Sequence, residues 1–512
     1  MRRPRSDNSS SLTVQLALPP PTPEQGYKVP YCTIDWLNDD ILLGIFNCYR
    51  LDNRRYWNSE PLWCKLSHVC QRWRHLIHES TFHLRMFIEC SNQRPVILDT
   101  LDHLPPLPLF ISYRDDIYTR TSEQELYDLR IYPPLRLPGR LFHIDLTLYP
   151  SMMDEVVILM DEQFPILKHL SLSYPYLDKP AHTFPNFPKG FLAPNLRHLS
   201  LPNISPPRRL RFLTSTVSLV TLRLHDIQNS SYVRPRVLVA RLGSLPLLEE
   251  LFIGFSIPIP RPSTERELLG EQRTPVTLPS LKDLRFHGVG AYLESLVAQI
   301  RVPLLERLYI ELFNQVAFVL PHLFYLINIT EAFQLSSATV HFNENVVHLQ
   351  VPAPSADSLI SRSFDLRVRC TPLDWQIDCA AQICHALIPT LSSVEELSLG
   401  GNPGKPTELQ NGEIDSTTWH DLLRSFVGVK KLYIYYYTLV NKELSLALQA
   451  DEVGSDPEFL PNLRSIHAYG NEFTSFIDTR QAVGRPVELR NAGYWGPQVP
   501  RLPSLSVVSL ST

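Results

Sequence analysis

Apolar positions follow two different periods along the chain. Between Asp35 and Ile77 they repeat as a helix does. Leu37, Ile41, Leu42, Ile45 and Phe46 stand at i, i+4, i+5, i+8 and i+9, which is one stripe of a 3.6-residue helix. Asn38 is placed to cap it, with Asp39 and Asp40 in the first turn, where carboxylates suit the helix dipole. A polar, turn-rich stretch runs from Asp52 to Pro61. A second stripe then reads Trp63, Leu66, Val69, Cys70, Trp73, Leu76 and Ile77, in helical steps of 3, 3, 1, 3, 3 and 1. Lys65, His68, Arg72, Arg74 and His75 fill the positions between and read as solvated helix surface. Short amphipathic helices of this kind need each other, a following domain or a partner to bury their stripes.

Beyond residue 85 the period changes to short runs of the form Leu-x-x-Leu-x-Leu. They occur at Leu167-Leu170-Leu172, Leu196-Leu199-Leu201, Leu219-Leu222-Leu224, Leu248-Leu251-Ile253, Leu281-Leu284-Phe286 and Leu305-Leu308-Ile310. They resume at Val394-Leu397-Leu399, Val429-Leu432-Ile434 and Leu463-Ile466-Ala468. The first six second-leucines are spaced by 29, 23, 29, 33 and 24 residues, the consensus and period of leucine-rich repeats. Pro165, Pro194, Pro246, Pro279, Pro303 and Pro461 each precede a run. There a proline stops the preceding helix and sets up the turn into the strand. Each unit is expected as a strand, a loop and usually a helix, with helical halves at 151–163, 290–300 and 419–426. Stacking of units makes the core. Residues 330–390 keep the pattern only at Ala338–Phe342 and Phe364–Val368, and residues 86–150 are expected to supply the first strands.

Side chains alternate along a strand, so the leucines face the core and the residues between them face the other, concave side. The early rows there are small and polar, such as Ser171, His198 and Ser200. Later rows carry Arg223, Phe252, Arg285, Tyr309, Tyr433 and Tyr435, residue types that concentrate in interface hot spots. These six are the candidate protein-binding residues. The fold class is therefore α/β: an N-terminal helical module, then an irregular solenoid with parallel strands on the concave face and helices and loops outside. The boundaries read 1–26 disordered, 27–85 helical module, 86–475 repeats and 476–512 cap or tail.

Composition narrows the function classes. The chain has 512 residues, 44% hydrophobic and 20% charged, with net charge −4. Without a basic surplus, neither nucleic acid nor an anionic membrane is expected as the main partner. Pro is frequent, 45 against 19 Gly, as many short connections of fixed φ require. The eight cysteines form no Cys-x-x-Cys pair and read as buried thiols in a reducing compartment. Cys379, Cys384 and His385 are poorly spaced for a metal. There is no convincing signal peptide and no run of 18 apolar residues; Val316–Ile329 reads as a core helix. A cytoplasmic or nuclear location follows.

The first stripe reads Leu37-Asn38-Asp39-Asp40-Ile41-Leu42-Leu43-Gly44-Ile45-Phe46, and the second contains Val69-Cys70-Gln71-Arg72-Trp73-Arg74. Together they resemble the F-box, and within it the large mushroom-type fungal subfamily. The match spans about 45 residues in two blocks that agree in order and spacing. Asn38 stands where the family has proline, and the loop between blocks is longer. The resemblance implies a three-helix module that docks on a Skp-type adaptor and through it on cullin. Leu37, Ile41, Leu42, Val69 and Trp73 match the apolar anchors. It further implies a non-catalytic receptor subunit of a ubiquitin ligase, whose repeats recruit an unknown protein substrate. No cofactor is called for. A leucine-rich interaction scaffold unconnected to ubiquitination is the alternative.

Catalytic motifs are not found. Gly400 to Pro406 has three residues between its glycine and Gly-Lys where a phosphate loop has four, with Pro406 in place of the magnesium-holding hydroxyl, so it reads as a turn and not a phosphate loop. Tyr433 and Tyr435–Tyr437, beside only Lys430 and Lys431, read as a protein-binding patch more readily than as a base-stacking one.

Overall fold

A computed structural model describes residues 34–52, 62–80, 88–91, 107–114, 132–148, 150–174, 187–207, 209–228, 231–256, 275–313, 318–333, 336–351, 363–401, 416–435, 444–448, 460–468 and 472–491. The segment expected to be disordered, 1–26, lies outside these, as do Tyr436, Tyr437 and residues 402–415. The chain divides into two compact units, Met1–Met86 and Phe87–Thr512.

In the first unit a 3-10 turn, Ile34–Trp36, leads into α1 (Asp39–Asp52), α2 (Leu62–Ser67) and α3 (Gln71–Glu79). Asn38 caps α1 as expected: its Oδ1 accepts from the Ile41 N–H at 2.9 Å. The second stripe is two helices, not one. Val69 and Cys70 leave the helix, Cys70 is extended, and its Sγ accepts from the Trp73 N–H at 3.4 Å. Arg74 holds the preceding turn from outside, donating to the Ser67 carbonyl at 3.1 Å. The stripe survives the break, which is why periodicity alone runs through it. Leu42, Leu43, Phe46, Trp73, Leu76 and Ile77 form the small core. Phe46 meets Trp73 edge-on, centroids 4.8 Å apart, a geometry worth about 1 kcal/mol beyond the buried area.

The second unit is mixed α/β. Its strands are β1 (Ile88–Ser91), β2 (Leu109–Arg114), β3 (Leu141–Thr147), β4 (His169–Ser173), β5 (His198–Ser200), β6 (Thr221–Ile227), β7 (Glu250–Phe255), β8 (Val276–Thr277), β9 (Asp283–Gly288), β10 (Ile300–Arg301) and β11 (Arg307–Phe313). They continue with β12 (Ser337–Phe342), β13 (Val346–Val351), β14 (Ser363–Arg369), β15 (Glu396–Gly401), β16 (Lys431–Tyr435), β17 (Ser465–Ala468) and β18 (Glu488–Asn491). Sixteen of them form one sheet in the order β1-β2-β3-β4-β5-β6-β7-β9-β11-β14-β13-β12-β15-β16-β17-β18, while β8 and β10 pair separately. β18 lies in the segment read as cap or tail, and the helix Thr474–Ala482 straddles its boundary at 475/476.

The leucines explain the register. Ile144, Leu170, Leu199, Leu222, Leu251, Leu284 and Leu308 lie opposite one another on successive parallel strands, and all are buried. A one-residue slip would turn the whole column to the other face. Each such side chain contributes about 2 kcal/mol of burial free energy. The prolines before the runs sit second in tight turns: Leu196 N–H bonds Ala193 O across Pro194, and Leu305 N–H bonds Val302 O across Pro303. Their fixed φ suits that turn position, so they act as turn residues more than helix stops.

The weakly patterned segment breaks the parallel order. Residues 337–369 form an antiparallel meander, β12-β13-β14, whose outer strands pair in parallel with β15 and β11. The hairpin closes where Asn343 N–H bonds Val346 O at 2.9 Å. The buried amide of Gln376 donates to Asn343 O at 2.7 Å and to Cys370 O at 2.8 Å. Gln376 lies in the helix Leu373–Ala386, which packs against β12 and β13. Other helical halves run Pro150–Leu159, Gly290–Val297 and Ser416–Leu423, displaced from the expected ends by a few residues. The apolar run ending at Ile329 is the helix Pro321–Ile329, with Leu323, Phe324 and Ile327 buried and Tyr325 exposed. Buried Glu294 caps it, accepting from the His322 and Leu323 N–H groups. No helix among the described residues is long and apolar enough to cross a membrane.

Candidate functional site

Alternation places a second set of side chains on the face opposite the leucines, and the register arranges them in rows. One row reads Ser112, Asp145, Ser171, Ser200, Arg223, Phe252, Arg285, Tyr309 and Asp365 across adjacent strands from β2 to β14. Four candidate residues, Arg223, Phe252, Arg285 and Tyr309, are therefore neighbours on β6, β7, β9 and β11. Tyr433 occupies the same row five strands beyond Tyr309, through Asp365, Gln350, Thr339 and Ser398. At about 4.8 Å per strand that is roughly 24 Å away. Tyr435 shares Tyr433's side of β16 and stacks beside it, but is buried. It packs over Gly400, where an added Cβ would lie 3.3 Å from the Tyr435 carbonyl oxygen. Tyr435 thus belongs to the sheet's own packing, and Tyr433 pairs with His467, ring centroids 4.5 Å apart.

Charges on the same face flank that row, Glu250, Asp283 and Arg307 on one side and Glu311 and Arg367 on the other. Arg223 forks onto Glu250, Nε to Oε1 at 2.8 Å and Nη2 to Oε2 at 3.0 Å. Arg285 forks onto Asp283 at 3.1 and 2.9 Å, and Arg307 Nε reaches the same carboxylate at 2.9 Å. Arg367 forks onto Asp365 at 3.1 and 3.2 Å. Glu311 accepts from Arg369 Nε and from the Tyr309 hydroxyl, the latter at 3.2 Å. Buried His348 lies 2.8 Å from Asp365. Asp283, Arg307 and Glu250 each stand two residues before a candidate, on the same face, so carrying the alternation upstream of the second leucine would have found them.

Burial is graded across the pairs, steeply for Arg285, Arg307 and Arg369 and only slightly for Arg367, 20% exposed over Asp365. Asp283, Glu311 and Asp365 side chains are 2%, 5% and 13% exposed, whereas Arg285, Arg307 and Arg369 are 42%, 43% and 46% exposed. Carboxylates lie beneath and guanidiniums lie outside. Rings are interleaved: Arg367 covers Tyr309 at 4.8 Å, and His225 stacks on Phe252 at 4.8 Å. Burial pushes Asp365 up, but the hydrogen bond from His348 and then its charge and that of Arg367 outweigh this and leave it below its ordinary value. Burial holds His287 down at about 4 against the pull of Glu311, and burial pushes the Tyr309 hydroxyl up.

Strands β2 to β5 carry a different row. Phe110, His143, His169 and His198 stack with centroids 3.8, 4.1 and 5.6 Å apart. Burial, then His169 and His198, hold His143 down at about 3; burial, then His198 and Arg223, hold His169 at about 4.

In the first unit the two motif blocks meet. Arg72 Nη2 donates to the Leu37 carbonyl at 2.6 Å and to Asp39 Oδ1 at 2.7 Å. Of the five matched anchors, Ile41 and Val69 are exposed and Leu37 is half-buried. Leu42 and Trp73 face inward and form the unit's core, because both lie on the side of the stripe where α1 meets α3. Ile34, Trp36 and Ile45 are also exposed, and Ile45 shares a helix face with Ile41.

Cys379 and Cys384 are buried in the helix Leu373–Ala386 while His385 faces solvent. Asn328, within a glycosylation sequon, is engaged internally by Thr390 and Ala386. A scan against protein-family models finds no match, and a search of curated proteins finds no relative.

Proposed function

We propose that this chain is a substrate-recognition subunit of a Skp–cullin–F-box type ubiquitin ligase. In this reading the first unit is an F-box module and the second a leucine-rich repeat solenoid with its strands on the concave side. The observation that carries the reading is the junction of the two motif blocks: Arg72 of the second bonds Leu37 and Asp39 of the first, and exposed Ile41 and Val69 remain on that unit's surface. Apolar side chains left in water on a small helical unit suit a partner that covers them. The sequential ladder of leucine columns supports the repeat reading. The receptor holds a protein substrate near a ubiquitin-charged enzyme bound elsewhere in the complex, so catalysis is by positioning.

The test is co-purification of the full chain with a Skp-type adaptor. Ile41→Glu with Val69→Glu is expected to abolish it while leaving the melting curve unchanged. Undiminished adaptor recovery by the double variant overturns the assignment. Ubiquitin transfer is expected only with cullin and RING subunits added.

A further inference from the structure

We infer that the central second face of the sheet binds an extended acidic segment of a protein, through guanidiniums of Arg223, Arg285, Arg307, Arg367 and Arg369. The inference deepens the recruiting-face reading and is independent of the ubiquitin connection.

These arginines lie on four strands, β6, β9, β11 and β14, with β7 between the first two and both Arg367 and Arg369 on β14. Each presents its Nε side inward, to Glu250, Asp283, Asp365 or Glu311. Among the described residues none of the five Nη1 groups has a hydrogen-bond partner. Arg223, Arg285 and Arg367 are held through Nε and Nη2, and Arg307 and Arg369 through Nε alone. Because Asp283 and Glu311 are buried beneath while Arg285, Arg307 and Arg369 reach outward, these pairs are dipoles with their positive ends at the surface. Their parallel arrangement makes an electropositive strip on a chain of net charge −4, so attraction of an acidic ligand is local.

Geometry selects an extended peptide. Four strand spacings are about 19 Å, the length of roughly six extended residues. Acidic side chains on alternate positions recur at about 7 Å, between one and two strand spacings. Guanidinium edges accept carboxylate oxygens in a fork, with the side-chain entropy already lost to the carboxylate below. The rings of Phe252 and Tyr309 between the arginines suit apolar residues at the alternating positions.

The probe is a fluorescent peptide of about twelve residues, Asp alternating with Leu and Tyr, measured by anisotropy against the full-length chain. Its lysine counterpart, a phosphoserine version and single-stranded RNA are compared. Arg285→Ala with Arg367→Ala is the main variant. Asp283 keeps Arg307 and Asp365 keeps His348 there, so no buried carboxylate is stranded. The Asp peptide is expected to bind at least about tenfold tighter than the lysine peptide, and the variant to lose about tenfold or more. Arg285→Lys with Arg367→Lys is expected to lose part, since lysine cannot fork. Arg209→Ala with Arg234→Ala, in a separate arginine-lined depression, removes equal charge and is expected to leave binding unchanged. Binding unaffected by the main variant, equal loss in both pairs, or binding of only the phosphoserine peptide or RNA overturns the proposal. Adaptor co-purification by the unaltered chain is read in parallel: its absence refutes only the ligase reading, and absence of Asp-peptide binding to the unaltered chain refutes only this one.

Discussion

Strands β2 to β5 and strands β6 to β14 share a backbone pattern and a buried leucine column, yet their second faces are opposite in kind. The first is a stack of Phe110 and three imidazoles, its two most buried histidines held neutral at about 3 and 4. The second is a set of charges, each guanidinium anchored to a more buried carboxylate. The leucines therefore set the register, and the alternating positions are free to differ from one part of the sheet to the other.

The two faces should part company in acid. A histidine with a lowered folded pKa adds no pH dependence above its unfolded value near 6.5. As pH falls below that, the unfolded chain takes up protons that the folded chain refuses, and stability drops. For His143 and His169 the loss between pH 6.5 and 5 is roughly 2 kcal/mol each, and His198 acts in the same direction. Asp226 and Asp365 behave oppositely. Their folded pKa values are depressed, so their contribution is complete above about 3.8 and lost only as pH falls through the lower folded values. Thermal melts between pH 7 and 5 should show a steep fall that His143→Phe with His169→Phe flattens. An unchanged slope in that variant would remove the neutral stack from the account.

Next in size, Asp365→Ala takes the partner from buried His348 and from Arg367. A cost of about 2–3 kcal/mol in denaturant unfolding is expected. Glu250→Ala faces a partner one-third exposed, and should cost under about 1 kcal/mol. Equal effects would mean that the burial gradient beneath the arginines has no energetic meaning. Phe110→Ala, which removes one end of the stack, should lower stability by about 1 kcal/mol.

Much of this was legible in the residues. Leu170, Leu199, Leu222 and their successors announce strands because their spacing satisfies a period of two inside a longer repeat. Asn38 announces a helix start. β13 was not legible: Val347, His348 and Leu349 are all buried, so it lacks alternation as well as the leucine consensus. Asn343-Glu344-Asn345 between two apolar runs was the available hairpin cue. The helix break at Val69 and Cys70 was hidden because the stripe continues across it. Tyr435 looked like Tyr433, and only the cross-strand neighbour Gly400 distinguishes them. The arginine–carboxylate pairs depend on register between strands far apart in sequence, which no local window contains.

The reversed meander also bears on how the chain is made. During synthesis each parallel strand from β2 to β7 can add to the strand before it almost as soon as it leaves the ribosome. At β11 that stops. Its partner β14 begins 56 residues later, after β12 and β13, and β15 must then return to β12, made 59 residues earlier. Each closure spans about twice the usual repeat, an entropic cost of only about 0.6 kcal/mol, but the delay is different in kind. Until β14 arrives, β11 offers an unpaired edge to any other nascent chain. A ribosome stalled near residue 350 would hold the chain in that state.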